Sequence, residues 1–471
     1  MRWSAAPRYA DRVARPVAGA LCLLLMYPGG AAMGSDAARA RTAPKGRPTI
    51  HRLGAGLEIV LGPPVVVALS RPGEKRWGFT QFPSLSLLPG GTLLCLFSRQ
   101  ADAVRAYGNE VPGCVSSNGG RSWKLCRDRS SPMIAPHGAI TKLAEGEFLC
   151  VPPTPPMDTR KRRIELPPPA LTTERSYCRN HIYRLSDFPE EIARRWGALP
   201  ALRWSPGIRE WRKTHVKYDT EGMLLWGRAE TKGRTEGRDR FLLPRTWFER
   251  SPVRCGKELL YADYRSLFIN PDGSVPRNFS PVLMVSTDNG RSFGRRATIA
   301  TSADGKIALT EPALAVLAGG ELACALRQAD HRQLPLLMTY SKDGGRKWTR
   351  PRRVADFGVW PGLIQLECGV TVLSYGRPGA HLAFSENGLG RKWTEPLTLI
   401  AGDPKNLLEG SCGYTSLLAL DESSFLVAYS DFDHRDANGR QRKAILVRRI
   451  EVKTRSRAAT GGPARKGEKG R

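Results

Sequence analysis

A chain of 471 residues, 41% hydrophobic and 25% charged, reads as globular, which excludes a disordered, collagen-like or multi-span membrane class. Its 73 Lys+Arg against 44 Asp+Glu give +29, which first suggests an anionic partner such as nucleic acid. The excess is dispersed, with +3 in residues 1–30 and +6 in residues 453–471. The remaining +20 has no basic run interleaved with aromatics, so the expectation is a basic protein for acidic substrates and no nucleic acid.

In chain order, residues 1–15 carry arginines, 17–26 are apolar and 29–35 are small, the pattern of a cleavable export leader over 1–34. The apolar run is too short to span a bilayer comfortably. An exported protein, periplasmic or extracellular, with no stable membrane insertion is expected. Ala20-Leu21 before Cys22 does not suit a lipoprotein signal. The nine cysteines that follow form no CxxC pair, so buried thiols and no metal site are expected, with a Cys114–Cys126 pairing left open. An extension covers 35–76, and the Gly-, Arg- and Lys-rich tail 453–471 reads as disordered.

A short pattern recurs from Ser116 onward. SSNGGRSW starts at Ser116, STDNGRSF at Ser286, SKDGGRKW at Ser341, and SENGLGRKW at Ser385 with one extra residue. The common form SxDxGxxW is a tight hairpin turn: Asp or Asn bonds its own backbone, Gly takes a positive φ, and the aromatic plugs the space beneath. A second unit, strand, Gly-centred turn, strand, begins at Pro83, Pro312, Pro361, Thr415 and His137. The two hairpins together make a four-stranded sheet of about forty to fifty residues, the size of one β-propeller blade. The fold class expected is all-β, a β-propeller over 77–452 with a large insertion at about 152–247. Within that insertion 152–169 is Pro-rich and reads as an exposed loop, and Asp187 to Trp196 as a short helix. Trp196, Trp204, Trp211, Trp226 and Trp247 read first as packing residues, with stacking on sugar rings as the alternative.

The four SxDxGxxW turns and the strand-turn-strand unit resemble the sialidase (neuraminidase) superfamily, six-bladed propellers in which these turns are called Asp boxes. The boxes speak to fold and lie away from the family's catalytic centre. Repeat register speaks to the site: Glu311 precedes Pro312 and Tyr414 precedes Thr415, at one position of two blades, so both should project into the same funnel. The resemblance implies a retaining exo-glycosidase in which Tyr414 is the nucleophile, Glu311 its base and Asp102 the acid/base, with Glu110 as the alternative to Asp102. It needs no organic cofactor or metal. A neutral tyrosine suits a sugar whose anomeric carbon bears a carboxylate, because an anionic nucleophile would be repelled.

In the family three arginines hold that carboxylate, a task for bidentate guanidinium groups. Arg327 and Arg377 resemble the second and third. They sit one repeat position apart, which puts them on opposite faces of a regular strand unless a bulge intervenes. The first is replaced by Gln81, two residues before Pro83, with Arg76 and Arg99 the nearest other charges. The substrate expected is sialic acid or a related acidic sugar of a glycan. The alternative is a non-catalytic propeller that binds glycans or a partner protein.

Overall fold

The computed structural model describes residues 46–454, apart from 112, 127–138, 175–177, 232–238, 240, 303–304 and 330–332. The leader, the start of the repeat at His137 and the tail beyond Thr454 lie outside the described residues.

The chain is all-β, and the β-propeller expected from the repeats is the architecture found. The first unit pairs Phe79–Leu87, Leu93–Arg99, Gly113–Ser116 and Lys124–Leu125 in sequence. The fourth pairs Ala308–Val316, Leu322–Ala329, Leu336–Ser341 and Arg352–Ala355, and the fifth Val359–Gln365, Thr371–Gly376, Ala380–Ser385 and Leu397–Ile400. The third pairs Val253–Cys255, Glu258–Asp263, Val282–Ser286 and Ser292–Thr298. The sixth pairs Thr415–Ala419, Ser424–Arg435 and Gln441–Thr454, and its fourth strand, Val65–Leu69, comes from the start of the chain. That pairing ties the two ends of the propeller together. Strands from all six units, Ser84–Ser86 through Ser416–Leu418, line one central channel of about 460 Å³. Apolar cores fill the gaps between neighbouring blades: Leu336, Met338 and Tyr340 of the fourth pack on Leu363, Leu373 and Tyr375 of the fifth.

The four recurring turns share one hydrogen-bond scheme. Ser116 Oγ accepts the Gly120 N–H at 2.9 Å, and Ser341 Oγ accepts the Gly345 N–H at 2.9 Å. Asp343 Oδ1 takes the N–H groups of Arg346 and Lys347, as Asn118 takes that of Ser122. Trp123 and Phe293 are buried beneath their turns, while Trp348 and Trp393 are half-buried.

The stretch expected as one insertion is divided. Ala198–Trp204 pairs with Phe148–Cys150 and with Trp211–Tyr218, completing the second blade, so Trp204 and Trp211 belong to the propeller and sit opposite each other. Leu171–Glu174, Cys178–Arg184 and Met223–Thr231 form a separate sheet with Leu267–Phe268, which follows that stretch. The helix runs Glu190–Trp196, with Glu190 and Glu191 in its first turn and Arg194 and Arg195 in its last, complementing the macrodipole. Pro152 and Pro153, expected on an exposed loop, are buried.

Candidate active site

Three inner strands carry an unusual backbone in their first half. Phe82, Glu311 and Trp360 each precede a proline, and their φ angles are 55°, 52° and 45°. Left-handed backbone at a non-glycine residue costs about 1–3 kcal/mol and persists only where the surroundings hold it. The ladder breaks at each of these places, between Gln81 and Ser84, Thr310 and Ala313, and Val359 and Gly362. A bulge takes a side chain out of strand alternation. At the same repeat position of the sixth blade stands Tyr414, preceded by Gly413 at φ 75°. A Cβ on Gly413 would lie 2.5 Å from the Arg377 nitrogen, so only glycine lets these two strands approach so closely.

These residues meet. The Tyr414 ring stacks on Trp360 with centroids 4.8 Å apart and 8° between planes, and its centroid is 4.9 Å from that of Phe82. Tyr414 Oη donates to Glu311 Oε1 at 2.5 Å, and Arg327 Nη1 donates to the same oxygen at 2.7 Å. The other oxygen, Oε2, accepts the Trp360 N–H at 2.8 Å. Burial pushes the Glu311 carboxyl up, but the Arg327 charge and these hydrogen bonds outweigh it and hold the group below the ordinary carboxylate value. Burial and the Glu311 charge push the Tyr414 phenol well above its ordinary value, against the opposing pull of Arg327 and Arg377. At neutral pH the pair is a phenol donating to a carboxylate.

Arg377 joins them by a departure from regular geometry. It follows Thr371–Gly376 with φ 62°, which takes it out of the alternation that would set it on the face opposite Arg327. Its Nη2 donates to the Cys412 carbonyl at 2.9 Å, and its guanidinium carbon lies 5.5 Å from the centre of the Tyr414 ring. Arg327 and Arg377 line a cleft of about 230 Å³ together with Gln333, Phe357 and Leu408. Two guanidinium groups here face one carboxylate, Glu311.

Gln81 and Asp102 are placed differently. Gln81 is 0% exposed; its Oε1 accepts the Gly78 N–H at 2.9 Å, and it lines neither cleft beside Tyr414. The left-handed residues on both sides of it, Thr80 and Phe82, account for the inward turn. Arg76 is engaged with Glu74, and neither Arg76 nor Arg99 lines those clefts. Asp102 is exposed, accepts from Trp77 Nε1 at 3.1 Å, and lines a second cleft of about 80 Å³ with Tyr414. Glu110 is exposed and lines neither cleft.

The second cleft contains residues that sequence reasoning did not single out for the site: Tyr107, Glu249, Tyr264 and Arg265, with Trp247 counted only among the packing tryptophans. Arg265 Nε donates to Glu249 Oε1 at 2.7 Å, and its guanidinium lies 3.8 Å from the centre of Trp247. Here burial dominates and raises the Glu249 carboxyl, with Arg265 offsetting it only in part. Arg265 and Glu249 come from irregular segments outside the repeat, where register has no purchase. Phe82 and Trp360 did carry a signal, the residue before the inner-strand proline, shared with Glu311.

No family model and no curated protein sequence matches the chain. Among solved structures it is similar to a protein of unknown function from Dyadobacter fermentans DSM 18053, at 16% identity over 84% of this chain and 99% of that one, with a TM-score of 0.54. It also aligns with an alpha-L-arabinanase of Penicillium chrysogenum (15% identity, 82% and 97% of the chains, TM-score 0.47). A third match is the NanB sialidase of Streptococcus pneumoniae (10% identity, 82% and 70%, TM-score 0.44). Identities this low bear on the fold alone.

Proposed function

We propose that the protein is a retaining exo-glycoside hydrolase that removes sialic acid or a related acidic sugar from glycans. The observation that carries this reading is the 2.5 Å hydrogen bond from Tyr414 to Glu311, two residues 103 positions apart in the chain. Glu311 takes the phenolic proton as the Tyr414 oxygen bonds to the anomeric carbon, and Asp102 protonates the departing glycosidic oxygen. Asp102 then removes a proton from water, water displaces Tyr414 from the anomeric carbon, and Glu311 returns the proton to the phenolate. Arg327 and Arg377 hold the sugar's carboxylate. The two guanidinium groups beside Tyr414, Arg327 and Arg377, support an acidic substrate, and the sheltered Gln81 favours a relative of sialic acid over sialic acid itself, since it brings no third charge.

Hydrolysis of a panel of aryl glycosides, sialoside and uronides included, by the protein beside Tyr414→Phe tests this. Turnover of an acidic glycoside that collapses in the variant supports the reading. Folded protein that binds glycans and turns over none of the panel supports instead a non-catalytic glycan-binding propeller, the reading that the missing third arginine favours.

A further inference from the structure

Trp360 is a wall shared by two spaces: it lines the cleft that holds Tyr414 and also the central channel. On the channel side stands Arg250, a residue with no part in the chemistry above. Its guanidinium carbon is 4.4 Å from the centre of the Trp360 ring, and its Nη2 is buried with no hydrogen-bond partner among the described residues. Burial pulls its pKa down, and the charges of Glu249 and Glu311 push it back. A guanidinium nitrogen buried without a partner is costly, and Arg250, itself half-buried, sets its charge against the face of an aromatic ring.

Trp360 contacts both members of the Tyr414–Glu311 pair, Tyr414 through its ring and Glu311 through its backbone. Its plane supports Tyr414 at 8°, and its backbone N–H holds Glu311 Oε2 at 2.8 Å. Trp360 does this from a left-handed backbone, φ 45°, which needs an outside restraint. We infer that Arg250 is a positioning residue for the Tyr414–Glu311 pair, acting from the channel through Trp360: it clamps the ring that carries the phenol and adds positive charge behind the base. The catalytic readout of this inference rests on the glycosidase reading; the structural readout does not.

The titratable groups around the Glu311 carboxylate are Arg327, Arg377 and Tyr414 on the cleft side, then Glu249, Tyr264 and Arg250. Lys142 and Arg254 face the channel from their own inner strands. Removing the Arg250 charge therefore moves Glu311 toward higher pKa, and loosening Trp360 disorders Tyr414.

The test uses the full chain with Arg250→Met, of similar reach and no charge, and Arg250→Lys, with fold checked by circular dichroism. Ring-¹³C tyrosine spectra, with the Tyr414 signal identified by its loss in Tyr414→Phe, should show that signal shifted or broadened in Arg250→Met. On a turned-over substrate kcat should fall about tenfold, the scale of a desolvated cation–π contact, with KM nearly constant and the acid limb of kcat/KM moved to higher pH. Arg250→Lys should restore the acid limb and part of kcat. An Arg250→Met protein with the native Tyr414 signal and an unmoved acid limb overturns the inference, as does an equal loss in both variants without a pH shift. If Arg250→Met does not fold, a native acid limb and a partly recovered kcat in Arg250→Lys support the inference, and an equally inactive folded Arg250→Lys overturns it. If the native protein hydrolyses no glycoside, the glycosidase reading fails, and the Tyr414 signal alone decides: shifted upholds Arg250 as a positioning residue, unshifted overturns it.

Discussion

Two buried Arg–Glu pairs flank Tyr414, and their carboxyls end on opposite sides of the ordinary value. Glu311 is held low and Glu249 is pushed high, although each has a guanidinium at 2.7 Å. The difference lies in the other donors. Both oxygens of Glu311 are engaged by groups from three different blades, the Arg327 side chain, the Tyr414 hydroxyl and the Trp360 N–H. On Glu249 two guanidinium nitrogens crowd onto Oε1, and Tyr264 adds a further bond. Several independent donors converging on a buried carboxylate outweigh the cost of its burial, whereas one ion pair offsets that cost only in part.

The sharpest way to break this comparison is to neutralise each carboxylate. Glu311→Gln should lower kcat on the best substrate by about 10³-fold, the range of a lost general base. Glu249→Gln should cost far less in kcat and more in stability, because Arg265 is left uncompensated in its buried site, a loss of about 3–5 kcal/mol in chemical denaturation. Equal kinetic losses would erase the distinction.

The arginines give the next effect. Arg377→Met should raise KM for an acidic glycoside by about a hundredfold, as expected when a charge-assisted contact worth roughly 1.5–3 kcal/mol is removed, and leave a neutral glycoside nearly unaffected. Arg265→Met should not discriminate between the two, since Glu249 already balances that charge.

A pH profile sharpens the same point. Because the folded Glu311 pKa is depressed, the base stays ionised as pH falls through the usual carboxylate range, and the acid limb of kcat/KM should lie below that range. The stability Glu311 contributes is present above its unfolded pKa and is lost as pH falls through the lower folded one. Glu249 has the opposite sign: its raised pKa contributes stability at low pH that fades as pH rises through the folded value. The last effect touches stability alone and concerns the turns. Trp123→Ala, 3% exposed beneath its turn, should cost about 3–5 kcal/mol in thermal or urea unfolding, and half-buried Trp348→Ala less.

How far the molecule could be read in advance follows from its repeats. The four SxDxGxxW turns and the strand-turn-strand units carried the propeller, because a repeated hairpin has one physical solution wherever it occurs. The same register brought Glu311 and Tyr414 to one height, and Phe82 and Trp360 stood in that register too. What escaped was anything set by backbone departures or by segments without a repeat. Regular alternation would put Arg377 on the wrong face, and φ 62° takes it out of that alternation; Gln81 holds the expected register but is turned inward between two left-handed residues. Arg265 follows Asp263, whose carboxylate accepts its N–H at 2.7 Å in a turn that no pattern announces.

The central claim is that Tyr414 bonds to the sugar and Glu311 only moves its proton. Incubation with a fluorinated glycoside of the preferred acidic sugar, followed by peptide mass spectrometry, measures this directly. The account predicts a glycosyl adduct on the peptide bearing Tyr414, absent in Tyr414→Phe. An adduct on Glu311 or Glu249, or product released with inverted anomeric configuration and no adduct, would contradict it.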